Sequence, residues 1–94
     1  MIESFNSDEA RKVFDRTGSR KLPADIQATA YRRLTYLNNA ESLADLALVP
    51  GNRFEKLSGD RVGQYSVRIN DQWRVHFGWS VDNNAVNVEI VGYH

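Results

Sequence analysis

Residues 51–94 read GNRFEKLSGDRVGQYSVRINDQWRVHFGWSVDNNAVNVEIVGYH. Their hydrophobic period is two. Tyr65, Val67 and Ile69 share one face of a strand, with Ser66, Arg68 and Asn70 on the other. Trp73, Val75, Phe77 and Trp79 alternate with Arg74, His76 and Gly78, and Val86, Val88 and Ile90 alternate with Asn87, Glu89 and Val91. Alternation of this kind marks strands with one buried face. Asn70-Asp71 and Asp82-Asn83-Asn84 supply the turns, and residues 54–57 form a weaker strand before the polar turn bracketed by Gly59 and Gly63. The stretch therefore predicts an antiparallel meander with one apolar face.

Working outward, the first half has the helical period and is the only available cover for that face. Ser7 followed by Asp8 and Glu9 is a helix start: a hydroxyl to cap free N–H groups and acids to complement the dipole. Ala10, Val13 and Phe14 then fall on one helical face, and Thr17-Gly18 ends the segment. Pro23 suits the first turn of a second helix, along which Ile26, Ala30, Leu34 and Leu37 form a stripe up to Asn38-Asn39. Residues 40–50, with Leu43, Leu46 and Leu48, read either as an irregular apolar flap or as a short helix. Residues 2–5 form a candidate first strand. The order βααβββ, with the weak strand as a further β, indicates one α+β domain over residues 1–94, two helices packed on a curved antiparallel sheet.

Bulk properties narrow the function. The chain has 94 residues, 41% hydrophobic and 26% charged, which is one globular domain. It has no cysteine, which fits a reducing compartment and excludes thiolate zinc sites, and its two histidines are far apart. No segment has the length of a signal peptide or a membrane span, so a cytoplasmic protein with no membrane partner is expected. Net charge is zero, with seven Lys/Arg and seven Asp/Glu in residues 1–50 and five of each in residues 51–94. That balance counts against simple electrostatic nucleic-acid binding, although it can still conceal a basic patch on one face.

The polar face of the meander carries the candidate chemistry. Arg68 and Arg74 fall on neighbouring strands near the tight turn, so either an anion sits between them or they pair with Glu89 on the next strand. Tyr93 and His94 follow the last strand. Histidine moves protons near neutral pH, and tyrosine donates a hydrogen bond or stacks on a base; the plain alternative is a frayed end. His76 shares the face of Arg74 and is either a second proton carrier or a half-buried, hydrogen-bonded strand residue. Arg53, Lys56 and Arg61 lie on or beside glycine-containing turns, where they are either phosphate contacts or solvated charge. Tyr65, Trp73, Phe77 and Trp79 have the period of a core rather than of a base-stacking platform. Arg, Tyr and His without cysteine suggest phosphodiester chemistry without a metal or cofactor.

The strings GNR, LSGDRVGQYSVRINDQWR, FGW and VEIVGYH resemble the HigB-type toxins, the plasmid maintenance killer branch of the RelE/ParE superfamily. The resemblance is dense over residues 51–94 and looser before them. It implies a RelE-like fold and a ribosome-dependent, metal-independent mRNA endonuclease that inhibits translation. It also implies a helix-turn-helix antitoxin partner in a heterotetramer, and operator DNA contacted only through that antitoxin. By position it matches Tyr93, His94 and Arg74 to the family's site, with Lys56, Arg61 and Arg68 as further matches. Taken with the turn reading of Arg53, the candidate catalytic set is Tyr93, His94, Arg74 and Arg68, and the candidate RNA contacts are Arg53, Lys56, Arg61 and Gln72. There are two departures. Gly92 stands where many relatives have an aspartate before Tyr-His, and a pI of about 6.7 contrasts with their basic character. The alternative implied by the superfamily is a non-catalytic gyrase inhibitor, or a degenerate toxin kept as antitoxin partner and co-repressor.

Overall fold

The computed structural model describes residues 1–93. It contains helices α1 (Asp8–Phe14), α2 (Ala24–Asn39) and α3 (Leu43–Ala47), then strands β1 (Glu55–Lys56), β2 (Gln64–Arg68), β3 (Trp73–Trp79) and β4 (Ala85–Gly92). The strands form one sheet in the order β1-β2-β3-β4, antiparallel throughout. A 3₁₀ turn, Gly59–Arg61, connects β1 to β2. The expected α+β architecture is present, with a third helix added.

The helices form for the reasons visible in the sequence. Ser7 Oγ accepts from the Ala10 backbone N–H at 3.3 Å, and Ala10 and Val13 are buried. α1 ends at Phe14, earlier than its apolar pattern suggests, because Arg16 and Gly18 adopt left-handed backbone (φ 63° and 73°). α2 buries the anticipated Ile26, Ala30, Leu34 and Leu37. The ambiguous segment at residues 40–50 resolves as a short helix: Asp45 Oδ2 accepts from the backbone N–H groups of Glu41 (2.9 Å) and Ser42 (3.2 Å), fixing its first turn. Leu46 faces inward, whereas Leu48 is 80% exposed.

These helices cover the apolar face of the sheet, where Val67, Ile69, Val75, Phe77, Val88 and Ile90 are buried. Tyr65, Trp73 and Trp79 pack partly buried against the same core, which confirms the aromatic residues as packing rather than platform. The tight β2–β3 connection is held by Asn70 Oδ1, which accepts from the backbone N–H of both Gln72 and Trp73 at 2.9 Å.

β4 departs from simple alternation. Gly78 pairs with Val86 and His76 with Glu89, so the register shifts between them, and Asn87 takes φ 53°. The bulge inverts the phase of the strand. Ala85 points into the core in place of the expected Val86, and Val86 lies over Gly78 on the opposite face. The N-terminal segment follows the same irregularity. Residues 2–5 do not form a regular strand but make two parallel bridges to the outer edge of β4, Ile2 to Ala85 and Phe5 to Val88. Ser4 Oγ accepts the Asn87 N–H at 2.8 Å, satisfying the bulged residue.

The inverted phase predicts unequal valine truncations. Val88→Ala should lower unfolding free energy by about 2 kcal/mol through the cavity it leaves, and Val86→Ala by less than about 1 kcal/mol, as measured by urea denaturation. Equal losses would contradict the bulge.

Candidate active site

Packing one face of the sheet against helices leaves the other open, and register decides what meets there. Ser66 lies opposite His76, which lies opposite Glu89; one row away, Arg68 lies opposite Arg74. Directly opposed residues share a face, so these side chains line a common polar surface. Neither arginine pairs with Glu89. Arg68 Nη2 forms an ion pair with Asp71 Oδ1 in the connecting turn. Arg74 makes no ion pair among the described residues; its Nη1 donates to the backbone carbonyls of Asn70 and Trp73. Glu89 instead accepts from Arg61 Nη1 at 3.4 Å and from Asn6 Nδ2 at 3.0 Å.

Tyr93 completes the surface. Its backbone N–H donates to the Gln72 carbonyl at 2.6 Å, which extends the β3–β4 pairing past Gly92. Its ring lies under the Arg74 guanidinium, 5.4 Å from Cζ to centroid. Its hydroxyl is 2.9 Å from His76 Nε2, and the two rings meet edge-on with centroids 5.8 Å apart. His76 is only 3% exposed, and its Nδ1 faces Arg61 Nη1 at 3.5 Å. Of the two roles open to His76 in the sequence, the structure shows a buried, hydrogen-bonded residue in contact with the candidate site.

The other anticipated residues divide. Arg53 is exposed, in left-handed backbone (φ 43°), and its charge reaches Asp71 together with those of Arg68 and Arg74. Arg61 joins the cluster through His76 and Glu89. Lys56 does not: it lies opposite Tyr65 and so belongs to the other face of the sheet. Gln72 enters through its backbone, as the acceptor for Tyr93, with an exposed side chain. His94 lies outside the described residues.

Two supporting residues were not read from the sequence. Asn52, 1% exposed, donates from Nδ2 to the Leu46 carbonyl at 3.1 Å, while its own carbonyl accepts the Arg68 N–H at 2.6 Å, tying α3 to β2 beneath the arginine pair. Asp71 is the counter-charge of Arg68. The Pro-Gly-Asn sequence and the acid three residues after Arg68 were the available signals. Among the described residues no three His, Cys, Asp or Glu side chains are grouped to hold a metal ion.

Electrostatics follow from this arrangement. Burial pushes the His76 imidazole below its ordinary pKa, Arg61 pushes it the same way, and Glu89 opposes. The hydrogen bond from Arg68 holds the Asp71 carboxyl below the usual range. Burial and the neighbouring charge of Arg32 lower the pKa of Arg33, which donates to the carbonyls of Pro50 and Gly51.

The profile of the HigB-like toxin family, described as the RelE-like toxin of the type II toxin–antitoxin system HigB, matches residues 3–94. The chain belongs to this family. Toxin HigB-1 of Vibrio cholerae is 38% identical over 86 residues, covering 92% of this chain and 82% of the relative. An uncharacterised Haemophilus influenzae protein is 31% identical over 67 residues, 71% of this chain and 64% of its own length. The fold is shared with solved structures at low identity. The heterotetrameric YoeB–YefM toxin–antitoxin complex of Staphylococcus aureus contains a chain with TM-score 0.63 and 19% identity, covering 100% of this chain and 98% of that one. YafQ of Escherichia coli gives 0.57 and 13%, covering 98% and 93%. No helix of the described residues is long and apolar enough to cross a membrane.

Within this HigB-like chain, the geometry changes what Gly92 means. Position 92 lies opposite Trp73, and a Cβ there would come within 3.3 Å of the indole ring. A side chain at 92 is thus directed toward Trp73 and the core face, away from Arg74 and His76. Glycine lets the indole lie across the end of β4.

A proton titration of the histidine resonances checks the electrostatics. His76 should titrate below about 6.5, the ordinary histidine value. Arg61→Gln should move it up and Glu89→Gln further down. Because the folded-state pKa is the lower one, the unfolded chain binds the extra proton. Stability should therefore be full above pH ~6.5 and fall as pH drops from there toward the folded pKa.

Proposed function

We propose that this HigB-like toxin is an endoribonuclease that cuts mRNA on the ribosome, and that the open face of the sheet is its active site. The observation that carries the reading is the opposition of Arg68 and Arg74 beside Tyr93. Two guanidiniums held across a hydrogen-bonded pair of strands, one stacked on an exposed phenol, suit an oligonucleotide backbone with a base beside it. The reaction is attack of an mRNA 2′-oxygen on the adjacent phosphorus. The 2′-hydroxyl loses its proton, charge accumulates on the non-bridging oxygens, and the 5′-oxygen leaves with a proton. Arg74, aided by Arg68, stabilises the pentacoordinate charge, a contribution available only when the donors are already in place. His94 carries a proton as acid or base. Tyr93, 44% exposed, retains ring surface for the displaced base. Arg53 and Arg61 flank the path of the backbone.

A small net-neutral toxin needs help to concentrate on a polyanion, and the ribosome supplies it by presenting the mRNA. The partner in the cell is a helix-turn-helix antitoxin that neutralises the toxin and carries the pair to operator DNA. The fold-sharing YoeB–YefM assembly, a heterotetramer, supports a complex of that form. The zero net charge favours one rival reading, a non-catalytic inhibitor or degenerate toxin. Primer extension after induction separates the two: discrete mRNA cuts belong to the nuclease, and intact mRNA with DNA damage to a gyrase poison.

In a reconstituted translation reaction, Arg74→Ala should slow single-turnover cutting by about 10²–10³-fold, the usual cost of removing one preorganised donor. Arg74→Lys should recover only part of this, since ammonium lacks the planar fork. Cutting at the wild-type rate by Arg74→Ala would remove the arginine pair from the reaction.

A further inference from the structure

The endonuclease reading gives His76 no role, yet His76 is the most enclosed ionisable side chain on the open face. Its surroundings fix its protonation pattern. Arginine has only donors, so the Nδ1 atom facing Arg61 at 3.5 Å presents a lone pair. The ring proton of the neutral imidazole therefore resides on Nε2, and the 2.9 Å contact is an Nε2–H donated to the Tyr93 oxygen. With that oxygen already accepting, the phenol's own proton is free to point outward. In the other tautomer Nε2 would accept instead, and the phenol proton would be turned into the protein.

We infer that His76 is a positioning residue that holds the Tyr93 phenol against the sheet with its hydroxyl proton directed to the substrate, and that Arg61 selects the tautomer required. This rests on the endonuclease reading for its consequence but not for its geometry. The ligand atom that such a donor suits is an oxygen of the RNA, either a phosphate oxygen or the departing 5′-oxygen. The charged groups facing His76 fit the assignment from every neighbouring element. Arg61 reaches it from the 3₁₀ turn, Arg74 lies on its own strand, and Glu89 and Glu55 approach from β4 and β1. The same Arg61 Nη1, with two N–H groups, also faces Gln64 Oε1 at 3.3 Å and Glu89 Oε1 at 3.4 Å, so its protons are shared among three acceptors. What it presents to Nδ1 is a positive, donor-only group that disfavours a proton there. Protonation of His76 would place an N–H against a guanidinium, which the burial of the ring makes unfavourable. The neutral tautomer is thereby kept in place near neutral pH.

Two measurements test this. The first is the ¹⁵N spectrum of the histidine rings of the wild-type toxin at pH 8, with the two histidines told apart by His94→Gln. His76 should show a protonated Nε2 and a bare Nδ1, and Tyr93→Phe should shift its Nε2 resonance. A protonated Nδ1, or no response to Tyr93→Phe, overturns the inference. The second is a double-mutant cycle in the cutting reaction, with thermal melting of each variant followed in parallel. His76→Phe should slow cutting by about tenfold, the scale of one lost hydrogen bond. His76→Gln, whose amide N–H occupies the Nε2 position, should restore most of the rate. His76→Phe combined with Tyr93→Phe should be no slower than Tyr93→Phe alone. Independent, multiplying effects would show that His76 acts otherwise than through the phenol. If the wild-type toxin does not cut mRNA at all, the endonuclease reading fails, while the spectrum still decides whether His76 holds Tyr93 in this way.

Discussion

The structure depends on the register of β2 against β3. Val67 lies opposite Val75 and Tyr65 opposite Phe77, and these side chains enter the core under α2. A slip of one residue would turn every one of them to solvent, so burial fixes the pairing strongly. The same register leaves no choice on the other face. Arg68 must sit opposite Arg74, and His76 must sit one row away. Apolar packing thus enforces an arrangement that the charges alone would not adopt. The repulsion between guanidiniums is moderated in three ways: solvent on the open face, Asp71 beside Arg68, and backbone carbonyls at Arg74. Among the described residues Asp71 forms an ion pair with Arg68 alone and Arg74 forms none, which leaves the pair suited to an anion from outside, the basis of the proposed activity.

β4 shows how irregularity places the remaining site residues. The bulge at Asn87 lets Ala85 and Val88 both face the core, and the N-terminal segment clips onto the bulged edge. Beyond it the strand returns to phase, with Glu89 opposite His76 and Gly92 opposite Trp73. Tyr93 is then carried onto the open face by its backbone bond to Gln72. The position of the phenol is therefore set by strand pairing on one side and His76 on the other, rather than by its place near the end of the chain.

Much of this was legible in the sequence because the signals were periodic. The α2 stripe, the inward residues of β2 and β3, the Asn70 turn and the shared face of Arg68 and Arg74 all follow from counting residues. The choice of helix over flap at Leu43–Ala47 and the phase of β4 did not, since each rests on a local exception: a side-chain cap by Asp45, and a left-handed residue at Asn87. The face taken by Lys56 was not legible, because a two-residue strand carries too little alternation to fix one. Arg61 and His76 were each visible as candidates, but their contact across the 3₁₀ turn was not, because sequence spacing says nothing about which loop folds over which strand. Gly92 illustrates the same limit. Its neighbour along the chain is Tyr93, but its neighbour in space is Trp73.

The chemical end left on cut mRNA tests the central claim most directly. Attack by the neighbouring 2′-oxygen, with Arg68 and Arg74 stabilising the charge, predicts a 2′,3′-cyclic phosphate on the upstream fragment and a 5′-hydroxyl on the downstream one. Upstream fragments ending in a free 3′-hydroxyl, with 5′-phosphate on their partners, would mean that water or another external nucleophile attacks, and would contradict the account.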